Sequence, residues 1–203
     1  MKRALFFILL VASLIRLVGL VPGHNTYHPD EPMSYSGATE MILNGDLNPR
    51  RFDYPAGVPI LHYGLYKTFF LPIVLLKNYA LHPGTFPSIL FKPDTFFRQH
   101  SKEIFGPREL HALFWSRLIT AMLCICTVYL AYVIGRKLFY KLAGLAAAFM
   151  VAVNYRHVLS SHLALSDIPN SFFALLSFYY SILLLEKNTW RRSLPLPPPP
   201  RRR

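Results

Sequence analysis

Residues 111–135, HALFWSRLITAMLCICTVYLAYVIG, form an apolar block long enough to cross a membrane, and this block decides the fold. A transmembrane helix needs about 20 consecutive, mostly apolar residues. Residues 4–22 form a second such block with Arg16 as its one charge, and without a small-residue cleavage site it reads as a retained helix. The shorter blocks 142–158 and 171–185 predict a helical hairpin. The sequence therefore predicts an all-α, polytopic membrane protein with about four transmembrane helices.

Composition and charge favour the same class. The chain is 53% hydrophobic and only 16% charged, which excludes an ordinary soluble domain. Its net charge of +12 could suit a nucleic-acid partner, but the basic residues lie in short segments beside the predicted spans. Such clusters mark the cytoplasmic side of a membrane protein, so we expect a cytoplasmic N-terminus and no nucleic-acid partner. The clusters are Lys2-Arg3, Arg136-Lys137-Lys141 and Lys187-Arg191-Arg192.

The segment between the first two predicted spans has the opposite character. Residues 23–110 hold eight of the ten acids against eight Lys and Arg, so this segment is neutral and is predicted to form a long external loop. Within it, residues 58–80 are apolar enough to cross the membrane. A crossing there would place Arg136 and the basic residues that follow it outside, so we predict an amphipathic helix lying in the membrane interface.

Two adjacent carboxylates follow the first predicted span, in the motif His28-Pro29-Asp30-Glu31-Pro32. Proline suits the first turn of a helix, and the stretch 33–43 reads as a helix closed by Asn44-Gly45. Both acids therefore lie at a helix N-terminus, where the helix dipole favours the ionised form. They are candidates for a base or a cation ligand, and the alternative is that one of them only caps the helix.

Other sites are less well marked. Cys124 and Cys126 lie two residues apart within a predicted span and read as packing residues, and the eight histidines show no metal-binding spacing. No cofactor is indicated, and the alternative is a divalent metal.

The stretch 193–203 is a Pro- and Arg-rich, low-complexity tail that we separate from the membrane domain, residues 1–192. Its abrupt change of composition predicts a truncated or frameshifted reading frame, with a genuine proline-rich cytoplasmic tail as the alternative.

Taken together, these pieces resemble the GT-C membrane glycosyltransferases, in the branch of protein mannosyltransferases and aminoarabinose transferases. The resemblance covers residues 4–187 and lies in the order of several short motifs. In the first half these are the His-Pro-Asp-Glu motif, Asn44-Gly-Asp-Leu-Asn-Pro49 and Phe52-Asp-Tyr-Pro55. In the second half they are Ser116-Arg-Leu118, Gly135-Arg-Lys-Leu-Phe139, Gly144-Leu-Ala-Ala-Ala-Phe149 and His162-Leu-Ala-Leu-Ser-Asp-Ile-Pro169.

The resemblance implies an inverting transfer of a sugar from a polyprenyl-phosphate donor to an external protein or glycolipid acceptor. Asp30 matches the family's first-loop aspartate, the base that removes the acceptor proton, and chemistry supports the same role for a positioned carboxylate. Glu31 would orient the acceptor or hold a metal. Asp167 would complete the site from the second loop, and it would be the other candidate metal ligand. Its alternative role is to cap the following helix.

The departing phosphate needs cationic or hydrogen-bonding partners. The candidates are Arg117, His162 and Arg156, and for Arg117 the alternative is a side chain that only extends to the membrane interface.

We expect a multi-pass protein of a bacterial or archaeal plasma membrane with its acidic loops outside. Later spans of the family are absent from the 203 residues, so we expect no sugar transfer by this chain alone, and transfer once it is fused to such spans.

Two other functions compete with this interpretation. A small polytopic transporter would use Arg16 and Arg117 to line a path, with Asp30, Glu31 and Asp167 binding a cation. A non-enzymatic membrane assembly protein would use the basic, proline-rich tail to bind a partner or anionic lipid. All the acids lie in predicted loops or at span ends rather than at mid-membrane, and this favours the transferase.

Overall fold

The computed structural model describes residues 2–21, 28–50, 52, 56–81, 99–101 and 112–187. The predictions for residues 81–110 and for the 193–203 tail lie almost entirely outside this part of the chain. Outside the short piece 99–101, the described residues contain eight α-helices, one π-helical turn and no strand, which confirms the all-α prediction. The α-helices are α1 (Lys2–Leu17), α2 (Glu31–Asn44), α3 (Gly57–Leu65), α4 (Leu71–Leu81), α5 (Ala112–Leu138), α6 (Lys141–Val153), α7 (Tyr155–Ser161) and α8 (Asp167–Lys187).

Several helices are long and apolar enough to cross a membrane. They are Ala112–Leu138, Asp167–Glu186 and Gly57–Lys77, and the last of these is a continuous helical stretch made of α3, a π-helical turn and most of α4. A bent pair made by α6 and α7 could form a fourth span. This confirms a polytopic membrane protein. The interfacial position of residues 58–80 stays a prediction, because the length and composition of that helix also fit a crossing. The α1 helix, at 16 residues, ends at Leu17 and is shorter than the predicted 4–22 span.

The third predicted span is not one continuous helix. It breaks at Asn154, and α6 and α7 meet there at an angle of 58°. Asn154 has an extended backbone, and its side-chain Oδ1 accepts the His157 N–H at 2.9 Å, so it caps the start of α7. An asparagine side chain that offers this bond competes with a continuing helix. The prediction of a single helix over 142–158 is therefore wrong.

The long helix α5 lies at the centre of the described structure. It packs against α6 through Gly135 of α5 and Gly144 of α6. A Cβ atom built on Gly144 would lie 2.6 Å from the carbonyl oxygen of Tyr132 in α5. A cluster of small buried residues extends this packing to α1: Ala12, Val128, Ala148 and Ala152. The α8 helix also packs against α5, and Lys137 of α5 pairs with Glu186 of α8 at 2.5 Å.

The helices of the first loop pack on the N-terminal end of α5. The π-helical turn Tyr66–Phe70 joins α3 to α4 and buries Tyr66, whose hydroxyl donates to the Ala112 carbonyl at 2.8 Å and is hydrogen-bonded to Ser116. Phe70 lies against Trp115 on the same side. These contacts fix the π-helical turn against the part of α5 that directly precedes Arg117.

Candidate functional site

Asp30 lies at the N-cap position of α2 but does not cap the helix. Its side chain makes no capping hydrogen bond and is 50% exposed. The Asp30 N–H donates to Nδ1 of His28 at 3.2 Å. The same Nδ1 lies 3.8 Å from an Asp30 carboxylate oxygen. The carboxylate is therefore open to solvent at the start of α2, where the helix dipole favours its charge.

Glu31, the next residue, is buried, with 1% of its surface exposed. Its Oε1 accepts the Arg117 Nε–H at 2.8 Å and the Ala164 main-chain N–H at 2.9 Å. Its Oε2 accepts the Arg117 Nη2–H at 2.9 Å and the His28 main-chain N–H at 3.0 Å. A carboxylate has about four acceptor positions, and these bonds occupy them. Neither oxygen therefore faces an open site for an acceptor or a metal.

The ionisation of Glu31 follows from these bonds. Burial alone raises the pKa of a carboxyl group, but the hydrogen bonds from Arg117, Ala164 and His28, together with the Arg117 charge, outweigh it and lower the Glu31 pKa below its ordinary value. Glu31 is therefore a carboxylate bound to a guanidinium on two points, which is the strongest geometry for such a pair. Arg117 is itself fully buried.

The loop between α7 and α8 lies against the start of α2, through the bond from Ala164 to Glu31. Asp167 follows three residues later as the first residue of α8, with an exposed side chain. The Ser166 carbonyl accepts the Asn170 N–H at 3.0 Å, so Ser166 occupies the N-cap position and Asp167 does not. The structure thus brings the Asp30-Glu31 and Asp167 segments to the same end of the bundle.

The other two candidate phosphate partners differ in their surroundings. His162 has both ring nitrogens directed at main-chain carbonyls, with Nδ1 2.9 Å from Val158 O and Nε2 3.0 Å from Val18 O. It therefore joins the end of α1 to the end of α7. Arg156 lies in the first turn of α7 with an exposed side chain. Of these three, Arg156 has an exposed side chain, His162 is partly buried and Arg117 is fully buried.

Arg16 has a role that the sequence analysis missed. It is fully buried, and its guanidinium donates to the Ala152 carbonyl at 2.9 Å, the Val151 carbonyl at 3.0 Å and His157 Nδ1 at 3.0 Å. Val151 and Ala152 belong to the last turn of α6, whose carbonyls lose their helical partners at the Asn154 break. Arg16 replaces those partners. An arginine inside an apolar span is the signal that could have indicated this role.

These contacts weaken the transporter interpretation. That interpretation requires Arg16 and Arg117 to line a path. In the structure both side chains are fully buried and bonded to protein groups, Arg16 to the end of α6 and Arg117 to Glu31. Among the described residues, no group of three or more His, Cys, Asp or Glu side chains could hold a metal ion.

Comparison with known proteins supports the resemblance found in the sequence. Residues 100–195 match the family model of dolichyl-phosphate-mannose-protein mannosyltransferases. The match includes Arg117, Arg156, His162 and Asp167, but it begins after Asp30 and Glu31. No curated protein and no solved structure matches the chain. The resemblance to GT-C mannosyltransferases is thereby confirmed for the second half of the chain, and the matched family is one of membrane glycosyltransferases that use a lipid-linked sugar.

Proposed function

We propose that this protein takes part in the transfer of a sugar from a polyprenyl-phosphate donor to a hydroxyl group of an acceptor, with Asp30 as the base. The observation that carries the proposal is the contrast between two neighbouring carboxylates. Asp30 is open to solvent and uncapped, whereas Glu31 is buried and fixed by Arg117. A general base needs a carboxylate that can reach the acceptor proton, held in place by rigid neighbours.

In this mechanism Asp30 removes the proton from the acceptor hydroxyl as its oxygen attacks the anomeric carbon. The bond between that carbon and the phosphate oxygen breaks, and the polyprenyl phosphate leaves with the electron pair. Attack opposite to the leaving group inverts the anomeric centre. Glu31 acts as a positioning residue, since its four hydrogen bonds fix the start of α2 against α5 and the Ala164 loop.

Asp167 and Arg156 complete the proposal. Asp167 would accept a hydrogen bond from the sugar or the acceptor, because its segment lies against the start of α2. Arg156 would bind the departing phosphate, because it is the candidate cation with an exposed side chain. A protein acceptor agrees with the description of the matched family. In this proposal the site lies on the external face of a bacterial or archaeal plasma membrane, and the mechanism uses no metal.

The test is a transfer assay in membranes with radiolabelled dolichyl-phosphate-mannose and a Ser/Thr-containing peptide. Both the 203-residue chain and a fusion of residues 1–187 to the later spans of a mannosyltransferase are assayed, because we expect the fusion to supply the rest of the donor pocket. Asp30→Asn should lower transfer by roughly 10²–10⁴-fold, the usual contribution of a general base.

The matched control is Asp46→Asn. Asp46 is also an aspartate of the first loop, but it is held on the surface by a salt bridge to Arg50 at 2.7 Å, so transfer should stay near the parent level. No transfer in either format, or equal transfer by the Asp30 and Asp46 variants, contradicts the proposal. Unchanged transfer in EDTA is expected. Loss in EDTA with recovery on added Mn²⁺ or Mg²⁺ would restore a metal to the mechanism.

A further inference from the structure

A cleft lies at the turn between α5 and α6, at the end of the bundle opposite Asp30. It has a volume of about 570 Å³ and is lined by Arg136, Tyr140, Lys141, Leu142 and Leu145. Arg136 follows Arg117 by nineteen residues on the same helix, which corresponds to about 28 Å along its axis. That distance is close to the thickness of the hydrocarbon core of a bilayer. The cleft and the Asp30 segment therefore lie near opposite membrane surfaces.

Among the described residues, no acidic side chain neutralises the two cations that line the cleft. Lys137, the neighbour of Arg136, is paired with Glu186. Neither Arg136 nor Lys141 has an acidic partner within the described part of the chain, and both side chains are exposed. The close contact at Gly144 holds the start of α6 against the end of α5, because a Cβ atom there would lie 3.0 Å from the Arg136 Cβ. Two cations that have no acidic partner among the described residues therefore line one cleft, which suits an anion.

The remaining walls of the cleft are apolar or aromatic. Leu142 is 66% exposed and Tyr140 is 64% exposed, and Phe139 beside them is 73% exposed. Exposed aromatic residues of this kind lie at the level of lipid headgroups in membrane proteins. A free phosphate ion would gain nothing from Leu142 and Leu145, whereas a phospholipid could lay the start of an acyl chain along them.

We propose that this cleft binds the headgroup of an anionic phospholipid, with Arg136 and Lys141 on the phosphate and Leu142 and Leu145 along an acyl chain. The proposal is independent of sugar transfer. Bound lipid would fill the open side of the α5–α6 turn. It would also fix the depth of that turn in the membrane. Each cation near an anionic membrane surface increases the affinity of a protein for that surface about fivefold.

The test is native mass spectrometry of the delipidated, detergent-purified 203-residue protein titrated with phosphatidylglycerol or with phosphatidylcholine of the same acyl chains. The first phosphatidylglycerol should bind more tightly than the first phosphatidylcholine. The double variant Arg136→Gln/Lys141→Gln should lose the preference for phosphatidylglycerol, because only in that lipid is the phosphate charge not balanced by a cation in the headgroup.

The matched control is Lys2→Gln/Arg3→Gln, which removes two exposed cations from the start of α1 and none from the cleft. An equal loss of phosphatidylglycerol binding in this control overturns the proposal, as does an unchanged affinity in the Arg136/Lys141 variant. Arg136→Lys/Lys141→Arg keeps both charges and should keep most of the preference, so it separates lost binding from lost folding. Displacement of the lipid by millimolar glycerol 3-phosphate would mark a site for free phosphate and would also overturn the proposal.

Discussion

Glu31 and Arg117 stand 86 residues apart in the sequence and form a buried, two-point ion pair between the start of α2 and the first turns of α5. The same carboxylate accepts main-chain N–H groups from His28 and Ala164. One side chain therefore joins three separate segments at the end of the bundle that carries Asp30. This explains how an exposed carboxylate in the first loop can have a fixed position.

Removing one partner of this pair should be costly. Glu31→Gln or Arg117→Gln leaves the other charge buried without its partner, and we expect a loss of about 3–5 kcal/mol in the free energy of unfolding. Thermal unfolding of the detergent-solubilised protein measures it. Arg156→Gln, which removes an exposed arginine, should change stability little. The charge swap Glu31→Arg/Arg117→Glu should not restore stability, because the N–H groups of His28 and Ala164 would then face a cation. Full recovery by the swap would contradict this role.

The ion pair also predicts a pH dependence. The hydrogen bonds that outweigh burial keep the Glu31 pKa below its ordinary value of 4.5, so its contribution to stability is complete above that value and is lost as pH falls through the folded pKa. The difference in melting temperature between the parent protein and Glu31→Gln should therefore stay constant from pH 7 to about pH 5 and shrink at lower pH. A difference that shrinks between pH 7 and pH 6 would contradict the lowered pKa.

Arg16 should stabilise the broken helix pair. Arg16→Met keeps much of the side-chain volume but removes the donors to Val151 and Ala152, and each buried carbonyl left without a donor costs about 1–3 kcal/mol. Ser13→Ala is the control, because Ser13 donates only within α1, to the Leu9 carbonyl. Melting temperatures of the two variants test this, and equal values for both would show that the bonds of Arg16 contribute nothing.

Two glycine substitutions should act in opposite directions. A Cβ atom at Gly144 would lie 2.6 Å from the Tyr132 carbonyl oxygen and 2.8 Å from the Arg136 nitrogen, and both are backbone atoms that cannot move aside alone. Gly144→Ala should therefore separate α5 from α6 and cost about 1–3 kcal/mol. A Cβ atom at Gly64 in α3 meets nothing within 4 Å, so Gly64→Ala should raise stability by up to about 1 kcal/mol. The melting temperatures of the two variants should therefore shift in opposite directions.

Membrane orientation can be tested with single cysteines. Leu47, which follows α2, and Phe139, in the α5–α6 turn, are both exposed and lie at opposite ends of the bundle. In intact cells an impermeant thiol reagent should label Leu47→Cys, and it should label Phe139→Cys only after the membrane is permeabilised. The parent protein is the control, since Cys124 and Cys126 lie within α5. Labelling of both variants from outside would contradict the predicted orientation.

Several features of the site were within reach of the sequence. Proline after the two acids and Asn44-Gly45 at the other end indicated a helix, and the structure has α2 at Glu31–Asn44 with Gly45 at a φ of 69°. These are local effects, because a proline lacks an N–H and a glycine tolerates the left-handed conformation. The sequence did not show that one of the two carboxylates is buried against an arginine and the other exposed. Their side chains differ in what lies around them, and those neighbours come from α5 and the loop before α8.

The sequence by itself determined that the chain is helical and lies in a membrane, because apolar runs of this length can satisfy their backbone hydrogen bonds in lipid only as helices. It also determined where charges cluster along the chain. Only the tertiary structure decided that Arg117 binds Glu31, that Arg16 replaces the missing helical partners at the end of α6, and that the segment of Asp167 meets that of Asp30. A buried charge takes whichever partner the packing of helices brings within about 3 Å, and that packing joins residues far apart in the sequence.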